Sequence, residues 1–404
     1  MTFRLRDPEF VNDPYPYYQS WHREGWQISL PERTDVFVVG HREISSALVE
    51  TSIGHKIQEL DLAIPPDSDP VRKLLTTAVL HGAAVLSDWP LTKNPPHNAR
   101  LRVPFLATTG FVGQPCVLQW MDETIEACIA KARAEGGFNG AEDLGMPLAF
   151  GLNCEMLGVP AADRPVVLSH VKAMEDSIDV DIPEHIIHKG LRAASTLSGY
   201  ILALLNNDRA KSQPMAVMLR QLADDIEQRK ITRREASALG ALSLLGGSTT
   251  TDSFISTAIL GLLSHTSVWK ELSTDSALLA RALDECLRFH SPVQMLSRRA
   301  LDDVEVNGRR FAAGQHFRLM LGAGNRDPNV FADPDRFVIG RSGPQPLSMG
   351  VGAHYCPGAG RARFMAKHLL QRLSEWAPDL RITGAPVWRP WFHVRSLQSL
   401  PLAL

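Results

Sequence analysis

The stretch LSMGVGAHYCPGAGRARF, residues 347–364, gathers four glycines, a histidine and one cysteine where an amphipathic helical pattern begins. A cysteine binds metal as a thiolate, and a helix N-terminus lowers the pKa of a thiol through its free N–H groups and the positive end of its dipole. Cys356 stands at such a start, and Pro357 suits the first helical position. We therefore predict that Cys356 is a metal ligand.

The residues around Cys356 favour a flat, charged partner. Gly350 and Gly352 can take positive φ and bring the backbone against a flat surface, because they carry no Cβ. His354, two residues before the cysteine, is placed to face an anion. The remaining cysteines are scattered and form no CxxC pair, so we expect inert core residues rather than disulfides or a zinc site at Cys116, Cys128, Cys154 and Cys286.

The segment GVGAHYCPG resembles the haem-binding loop of the cytochrome P450 family, with Gly350, Gly352, His354, Cys356 and Gly358 at matching spacings. The resemblance implies a haem (heme b) whose iron is ligated by the Cys356 thiolate. Residue 349 is methionine where the family usually has phenylalanine, which implies a small difference in the hydrogen bonding around the sulfur.

A second motif, ECLR, is similar to the Glu-x-x-Arg motif of the same family. Glu285 and Arg288 are three residues apart, so their side chains share one face of a helix and can pair. By resemblance, Arg336 in the segment DPDRF completes a buried network with them. The implied role of this network is structural: it holds the loop beneath the haem.

The haem propionates need cations or strong donors near the rim of the ring. By family position these are Arg102, Arg298 and His354. Asn98 stands where the family commonly has histidine, and an amide donates hydrogen bonds without carrying charge.

The segment 231–264 is apolar on nearly every face and predicts one long helix through the core. Its centre, LLGGSTTT, places glycines and β-branched residues in mid-helix, which contradicts helix propensity and therefore indicates function. By resemblance this is the oxygen-binding groove, where an acid precedes a threonine. Thr250 matches the threonine, but Thr249 stands in place of the acid, and Asp252 is expected to point away.

Three ways of relaying protons without the acid remain open. Water ordered by Ser248, Thr249 and Thr250 is the first, and a substrate group that joins the relay is the second. The third is a reaction other than ordinary hydroxylation.

The resemblance also implies where a substrate binds. Contacts are expected from a lid around residues 80–89 and from Leu242, Leu245, Gly246, Val293, Gln294, Leu296, Phe392 and His393. These side chains are largely apolar, with Gln294 and His393 as orienting polar groups, so the pocket suits a small hydrophobic molecule such as a natural-product or terpenoid-like intermediate.

The elements that must position these residues are mostly helical. Hairpins are predicted near residues 26–40, around the Asn307-Gly308 turn and at 387–402, helices at 41–50, over most of 99–229 and at 275–290, and an irregular segment at 51–96. The fold class is mainly α with small β-sheets (α+β). The resemblance implies a cytochrome P450 fold, with the long central helix over a buried haem, in one domain spanning residues 1–404.

The composition of the chain limits the classes of partner that it can attract by charge. The 404 residues carry a net charge of −2, which gives no global attraction for nucleic acid or an anionic membrane, and we find neither a signal peptide nor a membrane span. We expect a cytoplasmic monomer. The chain shows no flavin or iron–sulfur domain, so a separate ferredoxin and ferredoxin reductase with NAD(P)H must supply electrons. A basic patch at Arg361, Arg363, Lys367 and Arg372 either receives that ferredoxin or is merely a solvated helix face.

The preferred function is a haem-thiolate monooxygenase that inserts one oxygen atom of O2 into its substrate. Thr249 suggests an alternative on the same scaffold, a peroxide-driven or oxidative coupling enzyme. A haem-binding sensor without turnover is the alternative from another class of protein.

Overall fold

The computed structural model describes residues 5–30, 33–55, 70–264 and 266–404. Its helices are α1 (Pro8–Asn12), α2 (Tyr15–Glu24), α3 (His41–Val49), α4 (Pro70–Ser87), α5 (His97–Ala107), α6 (Pro115–Glu135), α7 (Met146–Met156), α8 (Arg164–Ser177), α9 (Glu184–Leu205), α10 (Asp208–Lys211), α11 (Val217–Glu227), α12 (Arg233–Gly246), α13 (Thr249–Leu263), α14 (Thr266–Trp269), α15 (Ser276–His290), α16 (Leu321–Gly324) and α17 (Ala359–Trp376).

The strands are short: β1 (Gln27–Ile28), β2 (Val36–Val38), β3 (Ile53–Gly54), β4 (Phe138–Asn139), β5 (Leu296–Ala300), β6 (Val304–Val306), β7 (Arg309–Phe311), β8 (His316–Leu319), β9 (Arg381–Ile382), β10 (Val387–Trp388), β11 (Leu397–Ser399) and β12 (Pro401–Ala403). The predicted class, mainly α with small sheets, is confirmed.

The chain forms two compact units. The first comprises Met1–Gly54, Val112–Ala149 and Thr249–Leu404, and the second comprises His55–Phe111 and Phe150–Ser248. Neither unit is a single continuous stretch of sequence. All the strands that the described residues form belong to the first unit.

The first unit is organised around a five-stranded sheet in the order β1-β2-β8-β5-β3, in which only β2 and β8 run parallel. The predicted hairpins are confirmed: β1 pairs with β2, β6 with β7 and β10 with β11, all antiparallel. Asn307 and Gly308 connect β6 to β7 with φ of 47° and 76°, as a tight turn with two left-handed residues requires.

The second unit is helical, with α9 in contact with α4, α8 and α12. Two glycines allow this close packing. A Cβ on Gly82 of α4 would lie 1.8 Å from the Leu191 carbonyl oxygen, and one on Gly240 of α12 would lie 2.7 Å from the Ile201 side chain. Either substitution would force the helices apart.

Two expectations about helices are wrong. The segment 231–264 forms two helices, because α12 ends at Gly246 and α13 begins at Thr249. The Ser248 hydroxyl donates to the Leu244 carbonyl, and its N–H donates to the Leu245 carbonyl three residues back, a tighter turn than an α-helix. The segment 51–96 contains the 18-residue helix α4 where we expected irregular chain. Residues 56–69 of that segment lie outside the described residues.

No helix among the described residues is long and apolar enough to cross a membrane.

Candidate functional site

The loop that carries Cys356 begins with a turn of 3-10 helix at Leu347–Met349 and folds back on itself. The Gly350 N–H donates to the Leu347 carbonyl at 2.7 Å, and the Cys356 N–H donates to the Met349 carbonyl at 2.8 Å. Gly350 and Gly352 have φ of 72° and 69°, so the predicted positive φ is confirmed at both. The loop therefore closes on its own backbone before it reaches the helix.

Gly352 also makes a close approach, but to a helix. A Cβ there would lie 2.9 Å from Val49 Cγ1 and 3.2 Å from the Leu48 carbonyl oxygen, both on α3. Our expectation for Gly352 is corrected to this extent: its small size packs the loop against α3.

Cys356 is half-buried and lies just before α17. The helix begins at Ala359 with Gly358 as its N-cap, so Pro357 stands two residues before the first helical position, not on it as predicted. The Ala359 N–H donates to the Cys356 carbonyl at 3.2 Å. A Cβ on Gly358 would lie 3.9 Å from Cys356 Sγ, which places the start of the helix directly against the sulfur.

Asn325 and Ser348 hold the start of this loop in the core. The Leu347 N–H donates to Asn325 Oδ1 at 2.7 Å, and Asn325 Nδ2 donates to Ser348 Oγ at 2.8 Å. Ser348 Oγ in turn donates to the Leu287 carbonyl of α15 at 2.5 Å. Asn325 and Ser348 are both buried, so these bonds fix the loop to α15 away from competing water.

The Glu285–Arg288 pair is present as predicted and is almost fully buried. Arg288 donates to both oxygens of Glu285, at 2.7 and 2.8 Å. Its guanidinium also donates to the Asn325 carbonyl at 2.9 Å. Arg288 therefore connects the ion pair to the asparagine that holds the Cys356 loop, which supports the structural role implied by the resemblance.

The third arginine of this network is not the one we predicted. The Arg336 side chain is 76% exposed and lies 3.7 Å from Asp333, while only its backbone carbonyl accepts a bond from Arg288. Arg341 takes its place: Arg341 Nε lies 3.5 Å from Glu285 Oε1, and the side chain is 10% exposed. The path of the chain after α15 brings Arg341 to the Glu285 carboxylate, although Arg341 lies five positions after the predicted Arg336.

Arg298 is a buried cation for which the described residues provide no carboxylate partner. It lies on β5, is 6% exposed, and burial lowers its pKa to about 10. Within the described part of the chain its guanidinium makes one hydrogen bond, to the Ser297 carbonyl at 2.9 Å. Burying a guanidinium is costly unless an anion accompanies it, so this position fits a propionate. His354, the other rim candidate of the first unit, is half-buried in the loop.

Five predicted residues belong to the second unit. Asn98 and Arg102 lie on α5, buried and half-buried, and Leu242 and Leu245 are buried on α12. Gly246, the last residue of α12, is exposed. Their roles toward a haem or a substrate stay predictions.

Thr249 and Thr250 open α13. Thr249 is 3% exposed, and within the described residues its hydroxyl has no hydrogen-bond partner. Thr250 is half-buried. Asp252 is fully buried and packs against Gly145, where a Cβ would lie 2.2 Å from its Oδ1. The carboxylate of Asp252 thus lies against the segment Gly140–Gly145.

The substrate residues of the first unit divide into two groups. Val293, Leu296 and His393 are half-buried and stay predicted contacts. Gln294 is 1% exposed; its Oε1 accepts from the Tyr18 hydroxyl at 2.7 Å and its Nε2 donates to the Ser291 carbonyl at 2.6 Å. Its amide is thus occupied in a structural network, which contradicts the orienting role we assigned to it.

Phe392 is also a core residue. It is 2% exposed, and its ring centroid lies 5.2 Å from that of Phe10. Its ring packs into an aromatic cluster with the N-terminal helices, and its contact with a substrate stays a prediction.

The other cysteines follow our expectation with one exception. Cys128, Cys154 and Cys286 are buried, and burial raises the pKa of each thiol, to about 12 for Cys128 and Cys154. Cys116 is exposed, so calling it a core residue is wrong. Cys356 thus differs from the three buried thiols in being half-exposed and placed before a helix.

The basic residues after Cys356 do not form one exposed patch. Arg361 is buried, Arg363 pairs with Asp284, and Arg372 donates to Asp122 at 3.2 Å and to Glu375 at 3.2 Å. Partner carboxylates neutralise much of the charge of Arg363 and Arg372, so the predicted patch is weaker than the sequence suggests.

Sequence reasoning missed the groups that hold the loop. The ion pair is contacted by Arg341, and the loop is held by Asn325 and Ser348. Only the path of the folded chain brings these residues together.

Comparisons with known proteins found one family and several of its members. The family model described as Cytochrome P450 matches residues 177–374. The chain is 28% identical to the biotin biosynthesis cytochrome P450 of Bacillus subtilis over 403 residues, covering 98% of this chain and 97% of that protein. It is also 28% identical to the cytochrome P450 monooxygenase PikC of Streptomyces venezuelae, over 98% of this chain and 92% of the relative.

A solved structure gives the same result. The crystal structure of P450BioI, in complex with acyl carrier protein bearing hexadec-9Z-enoic acid, superposes with a TM-score of 0.83 at 27% identity. The match covers 98% of this chain and 100% of that one.

Proposed function

Because the chain belongs to the cytochrome P450 family, we propose that Cys356 is the thiolate ligand of its haem and that it oxidises a small hydrophobic substrate with one atom of O2. The protein is an oxidoreductase of the monooxygenase type, and its family binds haem through a cysteine thiolate. When bound, the haem supplies the redox chemistry that activates dioxygen. One observation carries the assignment of the ligand: Cys356 lies half-buried at a helix start, in a loop closed by its own backbone and held by Asn325.

The residues of the first unit suit the charges of a haem. Cys356 supplies an anionic sulfur, and the backbone N–H groups of the first turn of α17 favour negative charge beside it. Arg298 supplies a buried guanidinium whose burial cost a propionate would offset. His354 adds a second donor toward the rim, and Asn98 and Arg102 are the proposed donors of the second unit.

Thr249 and Thr250 are the proposed proton-handling groups. A hydroxyl both donates and accepts, so either threonine can bind a water molecule and pass a proton along it. Among the described residues the buried Thr249 hydroxyl has no hydrogen-bond partner, so it is available to bind such a water. A hydroxyl cannot store a proton as a carboxyl group does, which favours the second candidate, a peroxide-driven or coupling reaction that needs less proton delivery.

We infer a hydrophobic natural-product or terpenoid-like substrate, with predicted contacts from Leu242, Leu245, Gly246, Val293, Leu296 and His393. The named relatives act in biotin biosynthesis or are monooxygenases of Streptomyces, and one related structure holds a fatty acid on its carrier protein. We place the protein in the cytoplasm as a monomer that receives electrons from ferredoxin and ferredoxin reductase with NAD(P)H.

The ligand assignment is tested by reducing the purified protein and exposing it to carbon monoxide. We expect the red-shifted absorption of a sulfur-ligated ferrous haem, lost in Cys356→Ala and kept in the control Cys116→Ala, whose thiol is exposed elsewhere. The same absorption in Cys356→Ala would refute the assignment of this residue.

The reaction is tested by comparing turnover in two conditions. We expect more product with ferredoxin, its reductase and NAD(P)H than with hydrogen peroxide. Faster turnover with peroxide would instead support the second candidate.

The substrate class is tested by screening for a change in the spin state of the ferric iron. Terpenoids, free fatty acids and the same acyl chains on an acyl carrier protein form the three arms. A response to the carrier-bound chains alone would contradict a free small molecule as substrate.

A further inference from the structure

The first turn of α17 contains a buried cation that the reaction described above does not use. Arg361 is the third residue of this helix and is only 8% exposed. The positive end of the helix dipole disfavours a cation in the first turn, and burial removes the water that would solvate the guanidinium. Two unfavourable effects at one position indicate a compensating anion nearby.

The Cys356 thiolate is an anion close to this guanidinium, and Gly358 lies between them. A Cβ on Gly358 would lie 3.8 Å from Arg361 Nη2 and 3.9 Å from Cys356 Sγ, so the guanidinium and the sulfur flank the same point and are less than about 8 Å apart. Burial lowers the pKa of Arg361, and the negative charge of the Cys356 thiolate raises it in opposition. Arg363, two residues on, is partly exposed and has Asp284 as its partner.

We propose that Arg361 is a positioning residue that stabilises the negative charge of the Cys356 thiolate and so tunes the reduction potential of the haem. This inference rests on the proposed function, because it requires Cys356 to be the iron ligand. A positive charge beside an anionic ligand draws electron density away from the iron, and this favours the ferrous state over the ferric state. Arg361 thereby eases the uptake of the first electron from the redox partner.

The test is a redox titration of the haem-loaded protein without substrate or redox partner. In Arg361→Leu we expect the one-electron reduction equilibrium to shift about tenfold toward the ferric state, a potential about 59 mV more negative. Arg361→Lys keeps the positive charge, so its reduction potential should lie closer to that of the wild-type protein than the potential of Arg361→Leu does. The matched control Arg363→Leu removes the same charge two residues further along the helix, on a different face, and should leave the potential unchanged.

Arg361→Gln, which is neutral but polar, guards against a leucine variant that fails to fold or to retain haem. A potential equal to that of the wild-type protein in a haem-loaded Leu or Gln variant would overturn the proposal, as would an equal shift in Lys and Gln. The carbon monoxide absorption of each variant separates the two hypotheses. A sulfur-type spectrum with an unmoved potential refutes the role of Arg361 alone, whereas no sulfur-type spectrum in the wild-type protein refutes the proposed function.

Discussion

Thr249 is a residue at which this chain departs from the family pattern. Its hydroxyl is buried without a partner among the described residues, at the first position of α13, where the family has an acid. The next residue, Thr250, matches the family threonine. A carboxyl group at position 249 would supply a titratable proton donor where the present side chain has none.

We expect Thr249→Asp to raise the fraction of NAD(P)H electrons recovered in product, if the native reaction is hydroxylation. A buried carboxyl group has a raised pKa and can therefore carry a proton near neutral pH. The measurement is product formed per NAD(P)H consumed. Thr249→Asn, similar in size but unable to titrate, is the control and should not raise this ratio; lower coupling in the Asp variant would count against an impaired relay.

Single residues also show where sequence reasoning ends. The Glu285–Arg288 pair could be predicted because both residues lie on one helix, three positions apart. Gln294 could not, since its partner Tyr18 lies 276 residues away in sequence. Arg341 was missed for the same reason: nothing local distinguishes it from Arg336, and only the chain path brings it to Glu285.

At the scale of elements, α15 and the segment that precedes the Cys356 loop are joined through Glu285. We expect Arg341→Leu to lower the free energy of unfolding by about 1–3 kcal/mol, because it removes a cation 3.5 Å from the buried Glu285 carboxylate, which keeps its two hydrogen bonds from Arg288. Arg336→Leu should change it by less than about 0.5 kcal/mol, because that side chain is exposed. Urea unfolding of both variants measures the difference, and equal losses would show that Arg341 does not complete the network.

The N-terminus of α12 provides a pH-dependent contribution to stability. Glu235 closes a capping box with Thr232 and receives two hydrogen bonds from Arg100, at 2.6 and 3.0 Å. The Arg100 hydrogen bond is the largest contribution that lowers the pKa of Glu235, from its ordinary 4.5 to about 2. The stability from this carboxylate is fully present above pH 4.5 and is lost as the pH falls toward 2.

We expect Glu235→Gln to cost about 1 kcal/mol at pH 7, since it weakens the cap and removes the ion pair. The difference from the wild-type protein should shrink between pH 4.5 and pH 2, where the native carboxylate becomes protonated. Unfolding curves at several pH values test this, with Arg100→Gln as the partner variant. A difference that stays constant down to pH 2 would contradict the lowered pKa.

Elements that their own residues specify were predicted well. Elements in which residues that favour a helix stand beside residues that disfavour it were not. The Asn307-Gly308 turn specifies its hairpin because those residues accept left-handed φ. The segment 231–264 is largely apolar on both sides of Gly246 and Gly247, so its sequence does not show whether the helix continues. Ser248 decides against continuity by bonding back to the Leu244 carbonyl. In α4, β-branched residues and Gly82 obscure the helical period.

At the scale of the whole molecule, the question is whether the two compact units unfold as one domain, as the sequence predicts for residues 1–404. The first unit consists of three chain segments and the second of two, so neither can complete its packing from one continuous stretch. This interleaving favours one cooperative transition. Trp89 is the single tryptophan within the sequence of the second unit, and its indole donates to the Ala238 carbonyl of the same unit at 3.0 Å.

We therefore expect urea unfolding of the haem-loaded protein to give the same midpoint by three probes. Far-ultraviolet circular dichroism reports helices of both units, and the absorption of the haem reports the site. The fluorescence of the Trp89→Phe variant, subtracted from that of the wild-type protein, isolates the signal of the second unit, because the seven remaining tryptophans belong to the first. A Trp89 signal that changes at a lower urea concentration than the other two would show that the second unit unfolds by itself, and the single-domain prediction would then be wrong.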